Sequence, residues 1–136
     1  MKQISRTVLA LLFGVGIALG VDVIRDLPTA YSNGSDIVLS WRTVQESGVV
    51  RFEILRRTGT EGNFLPIGFV SARRVDNSSY EFIDRQVFKA AGGIYQYQIQ
   101  VVLEGEQKLP PTPAVTVSHL SSAAQRTWGS IKAMFR

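Results

Sequence analysis

The chain contains no cysteine. Disulfide stapling, a thiol nucleophile and a zinc–thiolate site are excluded, so a packed core has to hold the fold. Histidine is nearly absent too: His119 stands alone, beside Ser118. A Ser/His/Asp triad needs ordered partners that nothing in the sequence supplies, so His119 is expected to be a surface residue at a strand end. No Arg-Gly-Asp adhesion motif occurs, no internal repeat is visible, and no acidic residue follows Glu106. Gly92-Gly93 is followed by neither a helix nor Lys-Ser/Thr, which makes it a turn and not a phosphate loop. Carboxylates are scattered. Asp76-Asn-Ser-Ser79 lacks the charge expected of a calcium loop, and Asp84 reads as a turn cap. These absences set catalysis aside and predict no metal and no cofactor.

What is present is a globular composition, with 45% hydrophobic and 19% charged residues among 136. The formal charge is +4, from 15 Lys+Arg against 11 Asp+Glu. Without residues 1–20 the cations fall to 13 and the acids stay at 11, leaving +2, too little to argue for nucleic acid.

The two ends differ from the middle. Residues 1–7 carry Lys2 and Arg6, and Val8 to Gly20 is an apolar run of 13 residues ending in Ala18-Leu-Gly20. A basic flank, an apolar run of about 7–15 residues and a small-x-small site predict a signal peptide over residues 1–20. An uncleaved N-terminal hydrophobic helix serving as a membrane anchor is the alternative. The chain is thus expected to be exported, to the periplasm or cell surface. At the other end, Leu120, Ala124, Trp128, Ile131 and Phe135 recur at helical spacing, with Arg126, Lys132 and Arg136 on the opposite side. Residues 119–136 are therefore predicted to form a basic amphipathic helix. It packs back on its own domain, docks in a partner groove, or lies on a membrane through Trp128 and Phe135. Leu120, Trp128, Ile131 and Phe135 are its candidate docking residues.

Between the ends, strand signals dominate. Val21 to Leu27 reads as a first edge strand stopped by Pro28. Asp36-Ile-Val-Leu-Ser-Trp41 places Ile37, Leu39 and Trp41 on one face by period two. Val50 to Arg57 alternates likewise. Phe64 to Ser71 contains Pro66, which argues for an edge. Tyr80 to Asp84 follows. Gly93-Ile-Tyr-Gln-Tyr-Gln-Ile-Gln-Val-Val102 puts Tyr95, Tyr97, Ile99 and Val101 on an apolar face and Gln96, Gln98 and Gln100 on a wet one. Ala114 to Ser118 is last. Seven short strands at this spacing predict an all-β sandwich.

The order of these segments resembles a fibronectin type III domain over residues 21–118, especially those of bacterial secreted and surface proteins. Trp41 is similar to the core tryptophan of that fold's second strand, Phe52-Glu-Ile-Leu-Arg-Arg57 to its third, and Tyr80-Glu-Phe-Ile-Asp84 to the strand ending in aspartate. Tyr95 resembles the corner tyrosine whose hydroxyl bonds a nearby backbone group. Ala90-Ala-Gly-Gly93 departs from the usual proline-containing approach to that strand. The resemblance implies a seven-stranded, immunoglobulin-like carrier of binding surfaces. The expected function is a binding or scaffold module contacting another protein through its sheet face and C-terminal helix. An accessory subunit of a membrane complex is an alternative. A third reading is a module for anionic carbohydrate, with Arg51, Arg57, Arg73 and Arg74 as its anion-binding residues, Arg42 nearby, and Leu55 and Phe69 adding apolar area.

Overall fold

The computed structural model describes residues 23–87 and 93–119. Both predicted helices, over residues 1–20 and 119–136, lie outside the described residues except for His119. Within them the chain forms eight strands in two antiparallel sheets. These are β1 (Ile24–Ser32), β2 (Ile37–Thr43), β3 (Val49–Thr58), β4 (Leu65–Ser71), β5 (Ser79–Asp84), β6 (Ile94–Leu103), β7 (Gln107–Lys108) and β8 (Val115–Ser118). The smaller sheet has the order β1-β2-β5. The larger has the order β4-β3-β6-β7, with β8 also on β6. The expected count of seven is corrected to eight by β7. It arises because Glu104–Glu106 forms a 3-10 turn that lays Gln107 and Lys108 against Leu103 and Val102.

The alternating residues of the sequence are the inner faces. Ile37, Leu39 and Trp41 from β2 meet Phe52 and Ile54 from β3 and Tyr95, Tyr97, Ile99 and Val101 from β6, all buried. Burying such side chains, at about 25 cal/mol per Å² of apolar surface, holds the sheets together without covalent staples. Trp41 stacks on Tyr80 with centroids 5.5 Å apart and meets the edge of Phe52 at 5.7 Å. Pairs of this kind add about 0.5–1.5 kcal/mol beyond their area. On the β4/β5 side the sheets close tightly: a side chain at Gly68 would meet the Phe82 ring at 2.9 Å.

Proline placement explains the edges. Pro66 lies in β4, an edge strand, as its missing N–H requires. Pro28 does not end β1. The strand runs on to Ser32 through a register shift between Arg25 and Thr29, with Asp26 at a φ of 58°. A bulge takes residues 26–28 out of the ladder, so the proline costs no paired hydrogen bond.

Tyr95 behaves as the resemblance implied. Its buried hydroxyl donates to the Val87 carbonyl at 2.8 Å, tying the chain after β5 to the start of β6. Tyr95→Phe leaves that carbonyl without its partner and is expected to cost about 1–2 kcal/mol. The check is the midpoint of urea unfolding, which should fall with unchanged slope.

Candidate functional site

Three places combine exposed or polar chemistry with a defined geometry. The first is the outer face of the larger sheet. Because Phe52 and Ile54 point inward, Arg51, Glu53, Leu55 and Arg57 point outward. Phe69 lies opposite Glu53, and Pro66 opposite Leu55, on β4. Gln100, Gln98 and Gln96 lie opposite Glu53, Leu55 and Arg57 on β6. Phe69 stands 61% exposed, which makes it the prominent apolar group of this face.

The four arginines assigned to anion binding are distributed along the sheet and already engaged. Arg51 holds Glu106 through both guanidinium nitrogens, at 2.9 and 2.5 Å, and reaches Glu53 at 3.1 Å. Those bonds raise the Arg51 guanidinium still further above its usual value, and they lower the Glu106 carboxyl. Arg57 gives Nε to Gln96 at 2.6 Å and Nη1 to the Gly62 carbonyl at 3.1 Å, and lies over Phe64. It is six residues along β3 from Arg51, roughly 20 Å at strand rise. Arg73 donates to the Ser79 carbonyl and covers the Tyr80 ring at 4.6 Å. Arg74 is 3.9 Å from Glu104. Arg73 and Arg74 follow β4, whose last residue Ser71 is opposite Arg51, so Arg57 is the one set apart. An anionic ligand would have to displace these contacts.

The second place is a set of buried polar groups at the ends of the sandwich. Glu46 is 1% exposed. Its Oε1 accepts from the Tyr80 hydroxyl at 2.6 Å and the Arg74 N–H at 2.9 Å, and its Oε2 accepts from the Thr43 hydroxyl at 2.7 Å. Burial pushes this carboxyl up, but the donated hydrogen bonds outweigh it, and its pKa is lowered overall. Asp84 accepts from the Arg56 guanidinium and from the Tyr97 hydroxyl, both at 2.7 Å, while its Oδ1 caps Gln86 N–H at 3.1 Å. The turn-cap reading of Asp84 thus captured one of its three contacts. Burial, then the bond to Asp84, pushes the Tyr97 hydroxyl well above the usual tyrosine value.

His119 is corrected from surface to interior: it is 3% exposed. Its Nδ1 meets the Ser32 hydroxyl at 2.6 Å, and its N–H donates to the Gly93 carbonyl. Ser32 Oγ also accepts the Gly34 N–H at 3.2 Å. Among the described residues, His119 Nε2 and Trp41 Nε1 are the buried side-chain nitrogens without a hydrogen-bond partner. No group of three or more His, Asp or Glu among the described residues is arranged to hold a metal ion. Sequence reasoning missed Glu46 and the seat of His119, because their partners Tyr80 and Ser32 lie 34 and 87 residues away. The one local signal was Thr43, three residues before Glu46.

The third place is an apolar cleft of about 640 Å³ where the two sheets splay apart, between the start of β1 and residues 107–113. Val23, Leu27, Val101, Leu103 and Leu109 line it, with Asp26 and Lys108 among its few polar neighbours. Thr112 and Leu109 still donate their N–H groups to Ile99 and Val101. The prolines at 110, 111 and 113 break the ladder between β7 and β8.

No family model and no curated protein matches the sequence. Among solved structures, the chain is similar to a family 76 glycoside hydrolase from a bovine Bacteroides thetaiotaomicron strain, at 15% identity and a TM-score of 0.54. That match covers 74% of this chain and 21% of the hydrolase, so the chain spans about a fifth of that protein's length. It is also similar to a Fn3-like protein from Clostridium thermocellum, at 16% identity and a TM-score of 0.52, covering 75% of this chain and 97% of that one. At such identities what is shared is the fold: a β-sandwich like that of a Fn3-like protein. The expectation that set enzymes aside is corrected by the first of these matches. The same sandwich recurs in a glycoside hydrolase chain, so the fold is no ground for excluding catalysis.

Proposed function

We propose that this chain is a partner-binding module whose contact surface is the outer face of the larger sheet. The partner is another protein. The observation that carries the reading is Phe69, 61% exposed on an edge strand, with Leu55 and Pro66 beside it and the glutamine row of β6 beyond. Aromatic side chains are enriched at interfaces because they offer large contact area for little lost conformational freedom. Gln96, Gln98, Gln100 and Arg57 form the polar surround, which suits a partner bringing an apolar side chain to Phe69 and amide or carboxylate groups around it. The export expected from residues 1–20 belongs to this reading and rests on the sequence.

The test compares the unaltered chain with Phe69→Glu and with Glu81→Lys, an exposed change on the smaller sheet. Affinity capture from cell-envelope extract is followed by titration of the retained protein. Phe69→Glu is expected to weaken its binding at least about tenfold, the effect of roughly 1.4 kcal/mol, while Glu81→Lys leaves it unchanged. Equal binding by all three would sink the reading.

A further inference from the structure

We propose that Asn33, in the turn between β1 and β2, is a self-modifying site. Its side-chain amide is lost by attack of the Gly34 backbone nitrogen, and the fold supplies both the proton acceptor and the oxyanion donors. The inference is independent of the partner surface on the larger sheet.

Asn33 is exposed, and the residue after it is glycine, so no side chain obstructs ring closure onto the following nitrogen. Gly34 holds a φ of 92°, which glycine adopts without steric cost. Asn33 Oδ1 reaches forward to the N–H groups of Ser35 at 3.0 Å and Asp36 at 2.7 Å. That folds the side chain over the peptide bond joining Asn33 to Gly34. The oxygen held by those two donors is the one that takes up negative charge when the amide carbon becomes tetrahedral, so they stand as an oxyanion hole. On the nucleophile's side, the Gly34 N–H donates to Ser32 Oγ at 3.2 Å, and that hydroxyl is fixed by His119 Nδ1 at 2.6 Å. Proton acceptor, nucleophile and oxyanion donors converge on one turn.

The reaction balances with water as the one co-reactant. The bond from Gly34 N to Asn33 Cγ forms, and the Cγ–Nδ2 bond breaks. The Gly34 proton passes to Ser32 Oγ, whose own proton moves to His119 Nδ1 where that is the unprotonated ring nitrogen. Ammonia leaves with a proton returned through solvent. Water then opens the cyclic imide. Attack at one carbonyl leaves an aspartate, and attack at the other routes the chain through the side chain. Both products add a negative charge to the turn, and the second lengthens the backbone by one carbon. Asn77 lacks this arrangement. Ser78 follows it, 8% exposed, with Oγ on the Val75 carbonyl and N–H on Thr43 Oγ1, so closure there must move a buried side chain.

Trypsin places Asn33, Asn63 and Asn77, the three asparagines of the chain, on separate peptides: 26–42, 58–73 and 75–85. The full chain is held at neutral pH, digested at intervals and followed by mass spectrometry. Beside it runs a synthetic peptide of residues 26–42, which has the Asn-Gly pair without the fold. Asn33 in the folded chain is expected to show the mass gain of amide to acid at least about tenfold faster than in the free peptide. Ser32→Ala is expected to slow it at least about fivefold, and Ser32→Thr, which keeps a hydroxyl, to stay near the unaltered rate. A free peptide that matches or outpaces the folded chain overturns the proposal, because the turn then gives no assistance. This comparison needs no variant and holds whether or not Ser32→Ala folds. An unchanged rate in folded Ser32→Ala also overturns it, as does conversion at Asn77 as fast as at Asn33.

Discussion

Gly93→Ala is expected to destabilise the sandwich by roughly 3 kcal/mol, the sum of a left-handed backbone penalty of about 1–2 and an overpacking term of similar size. Gly93 has a φ of 64°, and a Cβ there would collide with the His119 carbonyl oxygen. The neighbour is backbone and cannot rotate away. To accommodate the methyl, β8 must move off β6 where Ser118 pairs with Ile94, and His119 then leaves its place on Ser32. Gly105→Ala is the control. Its φ is 76°, but nothing lies within 4 Å of the added carbon, so it carries the backbone penalty alone. Thermal unfolding separates the two. A loss of about 15 °C is expected for Gly93→Ala and about 5 °C for Gly105→Ala. Equal losses would show that the close approach to His119 has no energetic weight.

The second large effect belongs to Glu46. Glu46→Ala strips the acceptor from the Tyr80 hydroxyl, the Thr43 hydroxyl and the Arg74 N–H at once. Leaving such groups unsatisfied is expected to cost roughly 3–4 kcal/mol in urea unfolding at pH 7. Glu46→Gln should cost less. Its amide oxygen can keep Tyr80 and Arg74, while Thr43 turns its hydroxyl toward the Ser78 carbonyl, now 3.4 Å away. The pair also gives a pH signature. The folded pKa of Glu46 lies below its unfolded value, so its contribution is complete above the ordinary glutamate value of about 4.3 and is lost as pH falls through the lower folded one. Stability measured downward from pH 6 should therefore fall more steeply for the unaltered protein than for Glu46→Gln. Parallel curves would remove Glu46 from the account of acid sensitivity.

Much of the architecture was legible because β-strands expose their inner face at every second residue. Tyr95, Tyr97, Ile99 and Val101 could be placed on the core side from spacing alone, and all four are buried. Pro28 misled because the sequence shows the missing donor but not the bulge that makes the donor unnecessary. β7 was invisible because two residues carry no period. The polar sites were hidden for another reason. A carboxylate in a turn, such as Glu46, has the same local sequence whether it faces water or closes over a tyrosine 34 residues away. His119 looked like a surface residue because its partner sits on the first strand, almost the whole domain earlier. Phe69 was legible as an outward residue, but whether an outward phenylalanine meets a partner is decided by that partner.

The bulged first strand has a mechanical meaning. Val23 enters the sandwich beside Val44, at the end where β1 meets the last residues of β2, whereas His119 leaves it beside Ser32, at the other end. Tension between those two points pulls β1 and β8 along their own axes in opposite directions. The ladder bonds to β2 and β6 then bear the load together, in shear, and do not open one at a time. The residue pairs from Thr29 to Ser32 form the continuous part of that resistance on the first strand, and the interruption at residues 26–28 marks where it would yield first.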